Sequence, residues 1–253
     1  MTWNPQQYLL FAGHRLRPAV DLLARIGAES PRRVADLGCG AGNVTRLLHA
    51  RWPEAQVTGY DNSPEMLDEA RAESDAIEWR RADLAAWAPD AAVDVIYSNA
   101  ALHWIPDHAA LFARLVDALA PGGWLAVQMP QQWRRPSHVT AFDLAKEPRW
   151  RDKLAGFRTE PVLPASAYYD MLAPRAAALD IWETEYLQAL DGENPIVAWT
   201  KGSFLAQLLA PLDPAEAAEF EAEYARRVRD AYPPQPDGRV LFPFRRLFIV
   251  ARI

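Results

Sequence analysis

Arg33-Val34-Ala35-Asp36-Leu37-Gly38-Cys39-Gly40-Ala41-Gly42-Asn43 is the stretch that decides the fold. Its first five residues read as a short apolar strand that runs straight into three glycines at alternate positions. Glycine permits φ > 0 and lets a ligand approach the backbone. Asn43 to Trp52, with Val44, Leu47 and Leu48 on one face, reads as the next helix, so the turn lies beside a partly positive helix N-terminus. Working outward, a second strand over residues 56–60 ends at Asp61, about 20 residues beyond the glycines, where a carboxylate can accept from ribose hydroxyls. The competing role for Asp61, capping the helix that begins at Pro64, suits Ser63 better because it stands directly before that proline.

The alternation continues with a helix carrying Met66, Leu67 and Ala70, then a third strand over 77–81 and a fourth over 93–97. A helix over 106–119 follows, and Pro121-Gly122-Gly123 turns into a fifth strand over 124–129. Strand and helix in strict alternation predict a doubly wound α/β sheet. Upstream, Leu16, Val20, Leu22, Leu23 and Ile26 have helical spacing, with Gly27 placed to end the run. Downstream, residues 131–178 are rich in proline, charge and aromatics, and 181–190 reads as a strand. Residues 191–239 are irregular around one amphipathic helix, Pro214 to Ala231, and 242–253 closes the chain as a buried strand. The expectation is one domain over 1–253, with a core at 30–130 and lid or substrate insertions at 131–178 and 191–239.

Half of the 253 residues are apolar and 24% are charged, which suits a sizeable buried core. Asp and Glu outnumber Lys and Arg by 33 to 27, a net charge of -6, so no general attraction to nucleic acid or an anionic membrane is expected. The single cysteine, Cys39, excludes an internal disulfide and a multi-cysteine zinc site. No apolar run approaches the ~18–20 residues needed to span a bilayer. Residues 1–5 lack the basic and apolar segments of a signal peptide, so a cytoplasmic protein is expected. The five histidines have no metal-ligand spacing, and no metal is expected.

The dinucleotide pattern G-x-G-x-x-G fails, because Asn43 or Thr45 occupies the third glycine position, and no Gly-Lys-Ser/Thr completes a Walker loop. An acid before the glycines would repel a pyrophosphate but welcome an ammonium. In these features residues 30–130 resemble the class I S-adenosylmethionine-dependent methyltransferases. The resemblance implies that Asp36, Gly38, Gly40 and Gly42 hold the methionine end of S-adenosylmethionine and that Asp61 holds its ribose. It implies that Asn62 and Met66 pack on adenine, and that Asp83, followed by Leu84, accepts from the adenine amino group. The segment from Ser98 through Asn99 to His103 and Trp104 matches the stretch beside the methionine moiety. That family's sheet has seven mostly parallel strands with the last one antiparallel.

Over the whole chain, Trp3-Asn4-Pro5-Gln6-Gln7-Tyr8, residues 181–186 and Phe242-Pro243-Phe244-Arg245-Arg246-Leu247-Phe248 look like the branch of that family that esterifies trans-aconitate, a planar tricarboxylate. The N-terminal segment with Trp3 and Tyr8 is then expected to close over the cofactor. The substrate would be a small polycarboxylate. Carboxylates are ionised at neutral pH, so ester formation needs no base, and His103 reads as a substrate donor or a packing residue. Trp104 reads as a pocket wall or as core, and Cys39 as a small filler. Three substrate charges in an acidic protein call for arginine, whose planar fork takes carboxylates bidentately. Candidates are Arg15, Arg17, Arg134, Arg135, Arg158, Lys201, Arg245 and Arg246. An antiparallel last strand would begin at the ligand rim, and strand alternation lets only one of Arg245 and Arg246 face the pocket, with Arg246 favoured. The alternatives are methylation of another small acid or a phenol, or cofactor binding without catalysis.

Overall fold

In the computed structural model, which describes residues 12–157 and 162–253, one sheet organises the chain. Its strands are β1 (Arg33–Leu37), β2 (Gln56–Asp61), β3 (Glu78–Arg81), β4 (Val93–Asn99), β5 (Leu119–Pro130), β6 (Ala178–Leu190) and β7 (Val240–Arg252). Their order is β3-β2-β1-β4-β5-β7-β6. β1 pairs in parallel with β2 on one side and β4 on the other, Val34 facing Val57 and Val95. The strand order therefore reverses beside β1, and such reversals open the crevice in which doubly wound sheets hold ligands. Val34, Ala35 and Leu37 are almost fully buried, as expected of a strand covered on both faces. β7 runs antiparallel to β5, from Trp124 opposite Arg252 to Pro130 opposite Arg246, which bears out the expected seven-stranded sheet with an antiparallel last strand.

The helices are α1 (Ala12–Leu23), α2 (Asn43–Arg51), α3 (Pro64–Glu73), α4 (His108–Asp117), α5 (Pro136–Ala145), α6 (Ala165–Leu172), α7 (Pro195–Lys201), α8 (Phe204–Leu209) and α9 (Pro214–Ala231). Among the described residues two compact units emerge, one of residues 16–130, 162–184 and 246–253, the other of 12–15, 131–157 and 185–245. The segment 162–184, expected within or beside an insertion, clusters with the first unit. Tyr168 of α6 explains part of this, since its hydroxyl is bonded to buried His108 Nδ1 at 2.5 Å, and Ala177 N donates to Arg252 O at 2.8 Å. The second unit has an aromatic interior. Phe220, Tyr224 and Val228 line the buried face of α9 at four-residue spacing, and Tyr224 Oη donates to Ser137 O at 2.9 Å. His138 stacks on Phe204 at 3.8 Å, and burial pushes its imidazole down to about 3, so it stays neutral.

Local differences from expectation have physical causes. α1 ends at Leu23, short of Gly27. Gly27 serves packing instead, for a Cβ there would lie 2.8 Å from the Trp124 indole. The fifth strand begins at Leu119 rather than Trp124, with an irregular register between Val93 and Val95 that takes up Pro121-Gly122-Gly123. α4 is shorter than 106–119 because Asp107 caps it, accepting from Ala110 N at 3.1 Å. Among the described residues no helix is long and apolar enough to cross a membrane.

Candidate active site

The glycine turn is held by its neighbours in two ways. Gly38 N and Cys39 N both donate to Tyr60 O, at 2.8 and 3.0 Å, tying the end of β1 to β2. Gly38 has φ +82, and a Cβ there would lie 2.1 Å from the Ala101 methyl carbon, so no side chain fits. Gly40 differs. Its φ of +54 is also left-handed, but a Cβ would meet only Met66 Sδ at 3.9 Å, leaving the turn open to a ligand on that side.

Three carboxylates gather around the ends of β1, β2 and β3. Asp61 Oδ2 accepts from Gly40 N and its Oδ1 from Ser63 N, each at 2.9 Å, so the acid braces the loop it borders. Ser63 caps α3, accepting from Met66 N at 3.2 Å, as expected from the following proline. Asp83 is exposed and accepts from Ala85 N at 2.9 Å. Asp36 is only 2% exposed and takes the Thr45 hydroxyl at 2.6 Å. Burial, and to a smaller degree the Asp61 charge, pushes its carboxyl up to about 7. Burial and the same carboxylates raise the Cys39 thiol above its ordinary range, which fits a filler rather than a nucleophile.

The other side of the rim is built by β4, β5 and β7. Asn99 ends β4, and its buried Oδ1 has no hydrogen-bond partner among the described residues. Ala100 follows with φ 56, an uncommon backbone for a residue with a Cβ, and its N–H donates to Gln128 O at 2.9 Å. That turn delivers the Ala101 methyl to Gly38. His103 and Trp104 lie in a single 3-10 turn with rings 4.2 Å apart; His103 is buried and Trp104 is 41% exposed. Arg246 is 4% exposed and donates from Nη1 to Gln128 Oε1 at 3.2 Å. Arg245 is exposed, and its backbone N–H donates to Gln132 Oε1 at 2.9 Å.

A family model described as "Methyltransferase domain" matches residues 34–123, the segment that carries the glycine turn and both sides of the reversal. The trans-aconitate 2-methyltransferase of Azoarcus sp. BH72 is 49% identical over 251 residues, spanning 99% of this chain and 98% of that one. The protein of the same name from Mycobacterium tuberculosis H37Ra is 44% identical over 254 residues, spanning 99% and 97%. The chain belongs to the trans-aconitate 2-methyltransferase family. It is therefore an enzyme that transfers methyl groups. Its fold agrees with solved structures: the YcgJ protein of Bacillus subtilis superposes with a TM-score of 0.58 at 15% identity, over 93% of this chain and 98% of that one. A Mesorhizobium loti S-adenosylmethionine-dependent methyltransferase gives a TM-score of 0.50 at 25% identity, over 96% and 100%.

For this family member the geometry brings together Asp36, Gly38, Gly40, Gly42, Asp61 and Met66 about one turn. Leu84 also approaches it, its Cδ1 being 3.7 Å from a Cβ built on Gly38. Asn62 is exposed at the rim beside Asp61. Lys201 is bonded to Glu221 at 2.9 Å and Arg135 to Glu185, so both cations are engaged by carboxylates. Tyr8, Trp3, Arg158 and the side chain of Arg15 lie outside the described residues. Reasoning from sequence passed over Gln128 and Ala100. A glutamine inside the apolar run Trp124–Met129 was the available signal for the first; nothing local marks the second.

Proposed function

We propose that this chain transfers the methyl group of S-adenosylmethionine to a carboxylate of trans-aconitate, or of a similar small polycarboxylate, giving a monomethyl ester and S-adenosylhomocysteine. The observation that carries this reading is the division of one rim into a carboxylate side at Asp36 and Asp61 and a side with a buried guanidinium, Arg246. The residues present suit the methyl donor. Gly40 is open to a ligand, Asn99 Oδ1 is a buried acceptor awaiting a donor, and Asp36 is a counter-ion for an ammonium.

When bound, the sulfonium supplies a methyl group activated for displacement by an oxygen nucleophile. Asp36 and Asn99 would hold the amino-acid end, Asp61 the ribose, and Asn62, Met66, Asp83 and Leu84 the adenine. Arg246 would hold a substrate carboxylate and fix the attacking oxygen. His103 is asked for no proton, since the nucleophile is already an anion, and Trp104 presents an aromatic face beside it. The protein's contribution is then mostly positioning and water exclusion.

The test is incubation with methyl-labelled S-adenosylmethionine and a panel of tricarboxylates, dicarboxylates and a phenol. A base-labile labelled ester on the tricarboxylates is expected. Label on the phenol alone, or on none of the acids, would overturn the reading.

A further inference from the structure

Gln128 sits two residues before the carboxyl end of β5, which pairs with β4 and β7. Its register partner on β4 is Asn99, and its side chain is fully buried. The orientation of its carboxamide follows from its neighbour. A guanidinium only donates, so the atom that meets Arg246 Nη1 at 3.2 Å must be the oxygen. The remaining atom, Nε2, is therefore a true donor, and it is buried with no hydrogen-bond partner among the described residues. Buried donors without acceptors are rare and call for an explanation. Here the donor stands beside a buried guanidinium near the carboxyl end of β5, so any group that satisfies it has to be an acceptor compatible with positive charge. A carboxylate oxygen meets both conditions.

We propose that Gln128 is a specificity-determining residue whose amide oxygen orients the Arg246 guanidinium and whose Nε2 donates to a carboxylate of the substrate. This rests on the carboxyl methyltransferase reading above and names the second group that would recognise the acid. Selection among acids then depends on a donor pair, one charged and one neutral, rather than on a single arginine.

The two roles of the amide separate by substitution. Gln128→Glu keeps an acceptor for Arg246 but replaces the donor with a carboxylate oxygen that repels the substrate. Gln128→Met removes both polar atoms at similar volume. With parent, Gln128→Glu and Gln128→Met, we would measure KM and kcat for trans-aconitate, the Kd of S-adenosylhomocysteine and the thermal midpoint. We expect Gln128→Glu to raise KM at least 30-fold and Gln128→Met about 10-fold, with S-adenosylhomocysteine Kd within 2-fold of parent in both. If Gln128→Glu matches the parent while Gln128→Met is impaired, the amide merely braces Arg246 and the donor role is overturned. Parent-like kinetics in both variants also overturns it. A parent protein that methylates none of the acids would defeat the carboxyl methyltransferase reading itself, a failure distinct from either of these. Should Gln128→Met not fold, the Gln128→Glu result alone decides.

Discussion

The two halves of the sheet's carboxyl rim are opposites in charge. At the ends of β1, β2 and β3 the side chains are Asp36, Asp61 and Asp83, and two of them are committed to hydrogen bonds with the glycine turn or α2. At the ends of β4 and β5, and midway along β7 where its pairing with β5 begins, they are Asn99, Gln128 and Arg246, a set of amides and one buried cation. β7 itself starts at Val240, earlier than the arginine pair at which the last strand was expected to begin. A cationic amino-acid nucleoside and an anionic acid have opposite electrostatic needs, and the proposed function assigns each its own side of this edge. A net charge of -6 says nothing of this; the local pattern does.

The comparison breaks first at the point where the halves touch. Gly38 on the carboxylate side admits the Ala101 methyl from the other, and Gly38→Val should destabilise the protein by about 3 kcal/mol or more, in the range of the severest core overpacking. Chemical denaturation measures it; a loss below about 1 kcal/mol would mean that the β4 turn yields easily. Next in size is the arginine pair. Arg246→Gln should lower kcat/KM for a tricarboxylate by roughly 2–4 kcal/mol, as for truncating one partner of a buried charge pair. Arg245→Gln, an exposed residue on the other face of β7, should change little. Equal effects of the two would remove the basic half from the account.

Acid titration sharpens the carboxylate half. Asp36, held up to about 7 in the ligand-free protein, must lose its proton to face an ammonium. S-adenosylhomocysteine affinity should therefore fall as pH drops from 8 to 6, approaching tenfold per unit below about 7. Stability of the ligand-free protein runs the other way. A carboxyl whose folded pKa exceeds its unfolded value of 3.8 adds most stability below pH 3.8, and this is lost as pH rises through about 7. Asp36→Asn should flatten both profiles, by calorimetry and by thermal melts; an unchanged slope in the variant would point to another group. The smallest effect expected is no effect at all: turnover with both S-adenosylmethionine and tricarboxylate saturating should not rise between pH 6 and 8, and a steep rise lost in His103→Gln would restore a base to the mechanism.

Much of this was legible because it is local. Strand, glycine turn, helix and the acid after β2 follow one another within 30 residues, and each is set by short-range sterics or capping. The arginine pair in β7 was harder. Alternation separates Arg245 from Arg246, but which one is buried depends on a register with β5 formed across more than 100 residues of chain. Gln128 hid for a related reason: a polar residue in a central strand is conspicuous only when its neighbours are known. Gly27 was misread as a helix stop because its packing partner, Trp124, is remote in sequence.

The most direct test of the divided rim is a crossed binding experiment. S-adenosylhomocysteine is titrated into parent, Asp61→Ala and Arg246→Gln, and trans-aconitate is titrated into each after saturation with S-adenosylhomocysteine. Asp61→Ala should weaken the nucleoside by about 1.5–3 kcal/mol, the scale of hydrogen bonds to a charged group, and leave the acid nearly unchanged. Arg246→Gln should do the reverse. If either variant weakens both ligands equally while remaining folded, the two halves are not separate sites and the division fails.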